Sequence, residues 1–256
     1  MLKDFTKIPF DIIVQAGQSN SEGYGFGDTE KPYEPDPRVW YLNSDFTIST
    51  AAERVVNNGV CSNFSLSFAR EYVAAGKLAV GRELLIVRSA VGGTGFADNR
   101  WNPSDDLFIN MIEMIHTAIE LNSENRLVAL LWHQGETETF FDPDCDLHYN
   151  RLSKLVDLTR NEFSVPELPF IAGDFVPQWV EENREKCVPI VEAMRLVCRD
   201  ISNARFVESD GLLSNAQEVP VHPMGPCWDH DSIHFSRNSL YKLGERYFEK
   251  FIEIVG

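Results

Sequence analysis

Three runs of this chain carry no polar interruption: Ile12-Ile13-Val14, Leu84-Leu85-Ile86-Val87 and Leu127-Val128-Ala129-Leu130-Leu131-Trp132. A strand with one wet face alternates apolar and polar residues. A strand without alternation is covered on both faces, which is the habit of parallel sheets flanked by helices. The apolar pattern predicts strands over 11–16, 39–42, 83–89, 127–132, 169–173 and 205–208, and helices over 65–75, 107–121, 147–163, 184–201 and 239–254. Strand followed by helix, repeated about five times, predicts an α/β fold with a mostly parallel, doubly wound sheet. Two stretches break the alternation. Residues 25–38 are rich in Pro, Gly and charge, and residues 209–231 hold Pro220, Pro223 and Pro226 without periodicity. Long loops on the carboxyl side of such a sheet build its site. With no linker, repeat or low-complexity tract, residues 1–256 read as a single domain, long enough to bury a full core.

Composition narrows the partners. A net charge of −16 argues against nucleic acid, which needs clustered Lys and Arg, and against an anionic membrane surface. A neutral small molecule such as an ester or a sugar suits so acidic a chain better. No stretch approaches the length that spans a bilayer. The five cysteines are widely spaced with no C-x-x-C pair, the pattern of reduced thiols in a cytoplasmic protein rather than of a disulfide framework or zinc site. The opening MLKDFTKIPF has no apolar h-region and no small-residue cleavage site, so no signal peptide is expected as the sequence is written. Oligomeric state is not readable.

Polar groups gather where the predicted strands run out. After the first strand, Gly17 punctuates Gln18-Ser19-Asn20, and Asn20, Ser21 and Glu22 can open a helix, placing Ser19 outside the carboxyl end of a strand and at the positive end of a helix dipole. Most Gly-x-Ser turns are only turns, so Ser19 needs partners as a nucleophile. Asp231 and His234 lie three apart before the last helix, a spacing that lets the carboxylate hold one imidazole nitrogen while the other serves as base. His133-Gln134-Gly135-Glu136 follows the strand over 127–132. Gln134 is a side-chain amide of the type that fills oxyanion holes, and Glu136 is a second carboxylate for the same histidine or, equally, a helix-start charge. Gly92-Gly93 follows the strand over 83–89, where paired glycines let backbone N–H groups approach a ligand. Trp101 and Trp228 near these patches are either sugar-stacking or buried structural tryptophans.

These motifs, in this order, resemble those of the SGNH-hydrolase superfamily, and within it the sialate O-acetylesterase-related carbohydrate esterases, a group that includes acetylxylan esterases. The likeness runs from about Phe10 to Phe251. It implies a three-layer α/β/α sandwich, with a flavodoxin-like doubly wound sheet, and cofactor-free hydrolysis of acetyl esters on sugars. It further implies Ser19 as nucleophile and His234 as base, with Asp231 or Glu136 as the carboxylate behind it. The backbone N–H groups of Ser19 and Gly93 and the Gln134 amide would form the oxyanion hole. Gln18, Asn20, Gly92, Trp101, His133 and Trp228 are the candidate substrate contacts. The chain departs from the group at Ser21, where Met is frequent, and at Gly59–Asn63, where a glycine-rich stretch is common. Those positions bear on the substrate more than on the reaction. Two rival readings remain from the residues alone. One is a metal-dependent hydrolase built on His133, Glu136, His222, Asp229, His230 and His234. The other is a non-catalytic sugar-binding module on a hydrolase scaffold.

Overall fold

The computed structural model describes residues 3–256. In chain order its strands are β1 (Phe10–Gly17), β2 (Val39–Leu42), β3 (Ile48–Thr50), β4 (Arg54–Val56), β5 (Gly59–Cys61), β6 (Glu83–Arg88), β7 (Arg126–His133), β8 (Phe170–Gly173) and β9 (Ala204–Val207). Its helices are α1 (Ser19–Glu22), α2 (Phe64–Ala74), α3 (Asp106–Glu120), α4 (Cys145–Glu162), α5 (Pro177–Glu182), α6 (Arg184–Asp200), α7 (Asn215–Glu218) and α8 (Arg237–Val255). Among the described residues no helix is long and apolar enough to cross a membrane.

The main sheet runs β3-β2-β6-β1-β7-β8-β9, all parallel except β3. The unbroken apolar runs explain themselves here, because successive residues of β1, β6 and β7 feed two different cores. Ile12, Val14, Leu85, Val87, Leu130 and Trp132 pack under α3, α4 and α6. Ile13, Leu84, Ile86, Ala129 and Leu131 pack under α2 and α8. The doubly wound parallel sheet between two helical layers is therefore as expected. Its strand order differs in one detail from the flavodoxin order: β6 inserts between β1 and β2, so the six parallel strands run 2-3-1-4-5-6 in order of sequence.

The chain leaves β1 toward the α2 side, whereas β6 and β7 lead into α3 and α4 on the opposite layer. Connections that part in this way open a crevice at the carboxyl end of the central strand. Elements that the sequence reading did not separate are short. The β4–β5 hairpin turns on Asn57 and Asn58, both left-handed with φ of 47° and 66°, as a two-residue type I′ turn requires. Its strands are three residues long, too short to show a period. Within the irregular 209–231 stretch, Ser214 and Gln217 form a reciprocal capping box that opens α7.

Candidate active site

Ser19 is placed by the exit from β1. The Gln18 N–H donates to the His133 carbonyl at 2.9 Å, and the Gln18 carbonyl accepts from Ser21 N (2.9 Å) and Glu22 N (2.8 Å), which opens the single-turn α1 at Ser19. Gly17 makes this path open: its φ is +124°, and a Cβ there would run into the His133 carbonyl. The Gln18 side-chain oxygen accepts from Thr137 N at 3.1 Å and, at 3.4 Å, from Gly135 N and Gln134 Nε2, tying the ends of β1 and β7 together.

His234 sits on the loop between α7 and α8. Its Nδ1 is 2.7 Å from Asp231 Oδ1, which also receives the His234 backbone N–H at 3.3 Å. Asp231 Oδ2 accepts from Asn215 Nδ2 at 2.8 Å and meets His222 Nε2 at 3.1 Å. Because His222 Nδ1 accepts from Met224 N, its ring proton lies on Nε2 and points to Asp231. Burial alone would raise the Asp231 carboxyl, but the bonds from His234 and Asn215 and the nearby His222 hold it below the ordinary carboxylate value. Nε2 of His234 has no protein partner among the described residues, and it is not hydrogen-bonded to Ser19. Such pairs are often loose before substrate arrives.

Asn20 joins the two halves. Its Oδ1 accepts from Phe235 N (3.0 Å), and its Nδ2 donates to the Ile233 carbonyl (2.9 Å) and to Glu136 Oε1 (2.7 Å). Both chain neighbours of His234 are thus pinned to the residue after Ser19. This corrects the expectation of Asn20 as a substrate contact, since it is fully buried with its side chain consumed. Glu136 is corrected likewise. It does not meet His234; it is buried behind Asn20, with Oε1 at 3.6 Å from His133 Nε2. Burial raises the Glu136 carboxyl, and His133 and Asn20 outweigh that and lower it. His133 is not a substrate contact either: it is buried, with Nδ1 3.1 Å from the Tyr247 hydroxyl, which itself donates to the Trp132 carbonyl. Trp101 is a core residue, 0% exposed, donating from Nε1 to Thr94 Oγ1 at 3.0 Å and packed edge-on to Trp132.

The oxyanion donors sort in the same way. Gly93 has φ +69°, and neither its N–H nor that of Ser19 has an acceptor among the described residues. Gly92 N donates to Glu22 Oε2 at 2.8 Å. Gln134, expected as a third donor, is withdrawn: it is fully buried, and its amide nitrogen is spent on Glu138 and Gln18. Glu138 accepts from Phe96 N (2.6 Å) and Ala97 N (3.2 Å) and so holds the loop that carries Gly93. Its burial pushes its carboxyl up to about 7, against the pull of Gln134 and the two backbone donors.

Ser19, His234, Gln18, Gly92, Gly93 and Trp228 line one cleft of about 600 Å³. Its apolar walls are Tyr24, Val91, Phe140, Met224 and Ile233. The Tyr24 ring stacks on His234 at 5.5 Å and is itself capped by Arg54, while Trp228 lies 6.0 Å from His234 on the cleft side. Met224 and Trp228 come from the 209–231 stretch, which has no period to mark which side chain turns inward, and Tyr24 lies two residues beyond α1. A second cavity of about 170 Å³ adjoins across Glu22, lined by Arg54, Arg88, Asn43, Ser44 and Gln15. Arg88 lies over the Tyr41 ring at 4.6 Å and hydrogen-bonds to Asn43 Oδ1 and the Glu22 carbonyl, both at 3.5 Å, with no carboxylate partner among the described residues.

The residues with metal-ligand chemistry disperse. His133 and Glu136 lie behind the sheet end, His222 and His234 divide the two oxygens of Asp231, and His230 is exposed beside Glu182. Among the described residues no group of three or more such side chains has a metal-holding arrangement.

Fold and family together define the class: an α/β carboxylic ester hydrolase. The chain belongs to the carbohydrate esterase, sialic acid-specific acetylesterase family, which matches residues 9–253. It is 24% identical over 180 residues, 64% of this chain and 68% of the relative, to a probable carbohydrate esterase of Arabidopsis thaliana, At4g34215. Among solved structures, NanS superposes with a TM-score of 0.79 at 18% identity, covering 96% of this chain and 98% of that one. The Arabidopsis protein superposes at 0.75, also at 18% identity, covering 96% and 98%. XAC1771, a carbohydrate acetylesterase from Xanthomonas citri, superposes at 0.59 and 13% identity, with 95% of this chain covering 56% of that one. At these identities the structural likeness is one of fold.

Proposed function

We propose that this carbohydrate esterase removes O-acetyl groups from a sugar through an acetyl-enzyme on Ser19. The observation that carries the reading is the His234–Asp231 pair at 2.7 Å in the same cleft as Ser19, with Asp231 surrounded by donors alone. Serine is a weak nucleophile without a base, and the base needs an acceptor to fix its tautomer. Asp231 holds the Nδ1 proton, which leaves Nε2 as the basic nitrogen. Ser19 Oγ attacks the acetyl carbonyl as its proton passes to His234. The Ser19 and Gly93 N–H groups receive the oxyanion. The sugar oxygen leaves with the proton from His234, and water then releases acetate by the same route in reverse.

The aromatic wall of Trp228 and Tyr24 suits a sugar ring. The Arg88 cavity suits the carboxylate of an acidic sugar such as a sialic acid, because a guanidinium fork matches a carboxylate and about 170 Å³ exceeds the ~30 Å³ of a water several times over. Neutral acetylated xylo-oligosaccharides are the alternative substrate. The deciding experiment is an acetate-release screen across O-acetylated sugars with wild type and Ser19→Ala. The variant is expected to be folded and to lose turnover to background. Undiminished acetate release from it overturns the serine mechanism.

A further inference from the structure

His222 enters none of the steps above, yet it is nearly fully buried against the carboxylate that orients the base. Its surroundings fix it from four sides. Met224 N donates to Nδ1 at 3.2 Å, Nε2 meets Asp231 Oδ2 at 3.1 Å, Phe26 abuts the ring edge-on at 5.0 Å, and Trp228 stacks on it at 5.9 Å with a 19° tilt. The turn that carries it rests on the β4–β5 hairpin, where Gly59 approaches Pro223 so closely that a Cβ would collide with the proline ring. Asp231 is the ionisable group His222 touches, and Asp231 in turn holds His234.

We infer that His222 is a positioning residue for the reaction proposed above, donating its Nε2 proton to Asp231 Oδ2 so that the carboxylate keeps its other oxygen, Oδ1, aimed at His234. The stack of Trp228 on His222 extends the arrangement to the cleft wall, so the group that orients the base and the ring that lines the sugar path share one support. The geometry gives Asp231 two donors on Oδ2, Asn215 and His222. Removing one lets the carboxylate rotate about its remaining bond and leaves more of its charge on His234. The imidazolium is then held more tightly, and the acid limb of activity moves to higher pH.

The inference rests on the serine mechanism and is tested with 4-nitrophenyl acetate, whose hydrolysis does not depend on which sugar is bound. His222→Leu keeps most of the volume and loses the donor; His222→Gln keeps a donor near the place of Nε2. With wild-type-like circular dichroism, H222L is expected to lose about ten- to a hundredfold in kcat, with KM within threefold and the acid limb of kcat/KM shifted upward. H222Q is expected to restore kcat to within about fivefold of wild type and to return the limb. A folded H222L with wild-type kcat and an unmoved limb overturns the inference. So does a folded H222Q that loses tenfold or more in kcat, a criterion that also decides the matter if H222L does not fold. Failure of the underlying mechanism shows separately, as Ser19→Ala retaining wild-type turnover.

Discussion

Two carboxylates compete in the sequence for the histidine, and the structure turns the choice into a measurement. Consider Asp231→Asn. Every neighbour of Asp231 donates: His234 Nδ1 and its backbone N–H on Oδ1, Asn215 Nδ2 and His222 Nε2 on Oδ2. An asparagine must set its NH2 against donors whichever way it turns. With the NH2 toward Asn215 and His222, two buried side-chain donors lose their acceptor, at about 1–3 kcal/mol each. With the NH2 toward His234, the imidazole can adapt by moving its proton to Nε2, so this orientation is the cheaper. That tautomer cannot take a proton from Ser19. In a Ser-His-Asp arrangement this error lowers kcat by about ten-thousandfold, or about 5 kcal/mol of barrier at about 1.4 kcal/mol per decade. Glu136→Gln is the control, since glutamine still offers Asn20 an acceptor and never touches His234. Its expected loss is tenfold or less in kcat. The assay is steady-state hydrolysis of 4-nitrophenyl acetate alongside acetate release, with folding checked by circular dichroism. Asp231→Asn within tenfold of wild type, or Glu136→Gln losing more than Asp231→Asn, refutes the assignment.

The other predictions concern substrate and pH. Arg88→Met is expected to raise KM about tenfold or more for an O-acetylated sugar acid, with at least a tenfold smaller effect on a neutral acetylated sugar; equal losses on both sink the acidic-substrate reading. Glu138 carries a proton in the folded protein up to about pH 7, against an ordinary 4.5 in the unfolded chain. The folded state therefore binds the extra proton between these values, and stability falls as pH rises through that window, by about 3 kcal/mol in total. Asp174, raised to about 6 by burial, titrates there too, so the test is the difference between wild type and Glu138→Gln in urea midpoints from pH 5 to 8. The variant should flatten the slope, and an unchanged difference across that range counts against it.

The site was legible to the extent that its residues follow strand ends. Ser19 and Gly93 were singled out because a strand's apolar run stops abruptly and polar groups begin, and His234 by its spacing from Asp231 before the last helix; the fold brings all three to one cleft. The same rule over-reached at Gln134, Glu136 and His133. A motif gives the order of side chains along a turn but not which of them points inward, and here the end of β7 and the turn after it bury all three beneath the cleft. Of the two readings of Trp101 the buried structural one holds, its Nε1 finding Thr94 in the core. Met224 and the bridging role of His222 were out of reach because residues 209–231 have no period to read.

By itself the sequence determined the parallel α/β sheet, since apolar runs without alternation, each followed by a helical pattern, suit strands covered by helices on both faces. It also determined the chemistry on offer at the strand ends. Only the tertiary structure decided how that chemistry is divided. Asp231, not Glu136, reaches His234 because the loop before α8 brings its own carboxylate with it, three residues away on one turn. Glu136 is separated from the histidine by Asn20, whose side chain fills the space between β7 and that loop. The exclusion of Glu136 depends on groups that meet across more than a hundred residues of chain, and no local pattern carries that information.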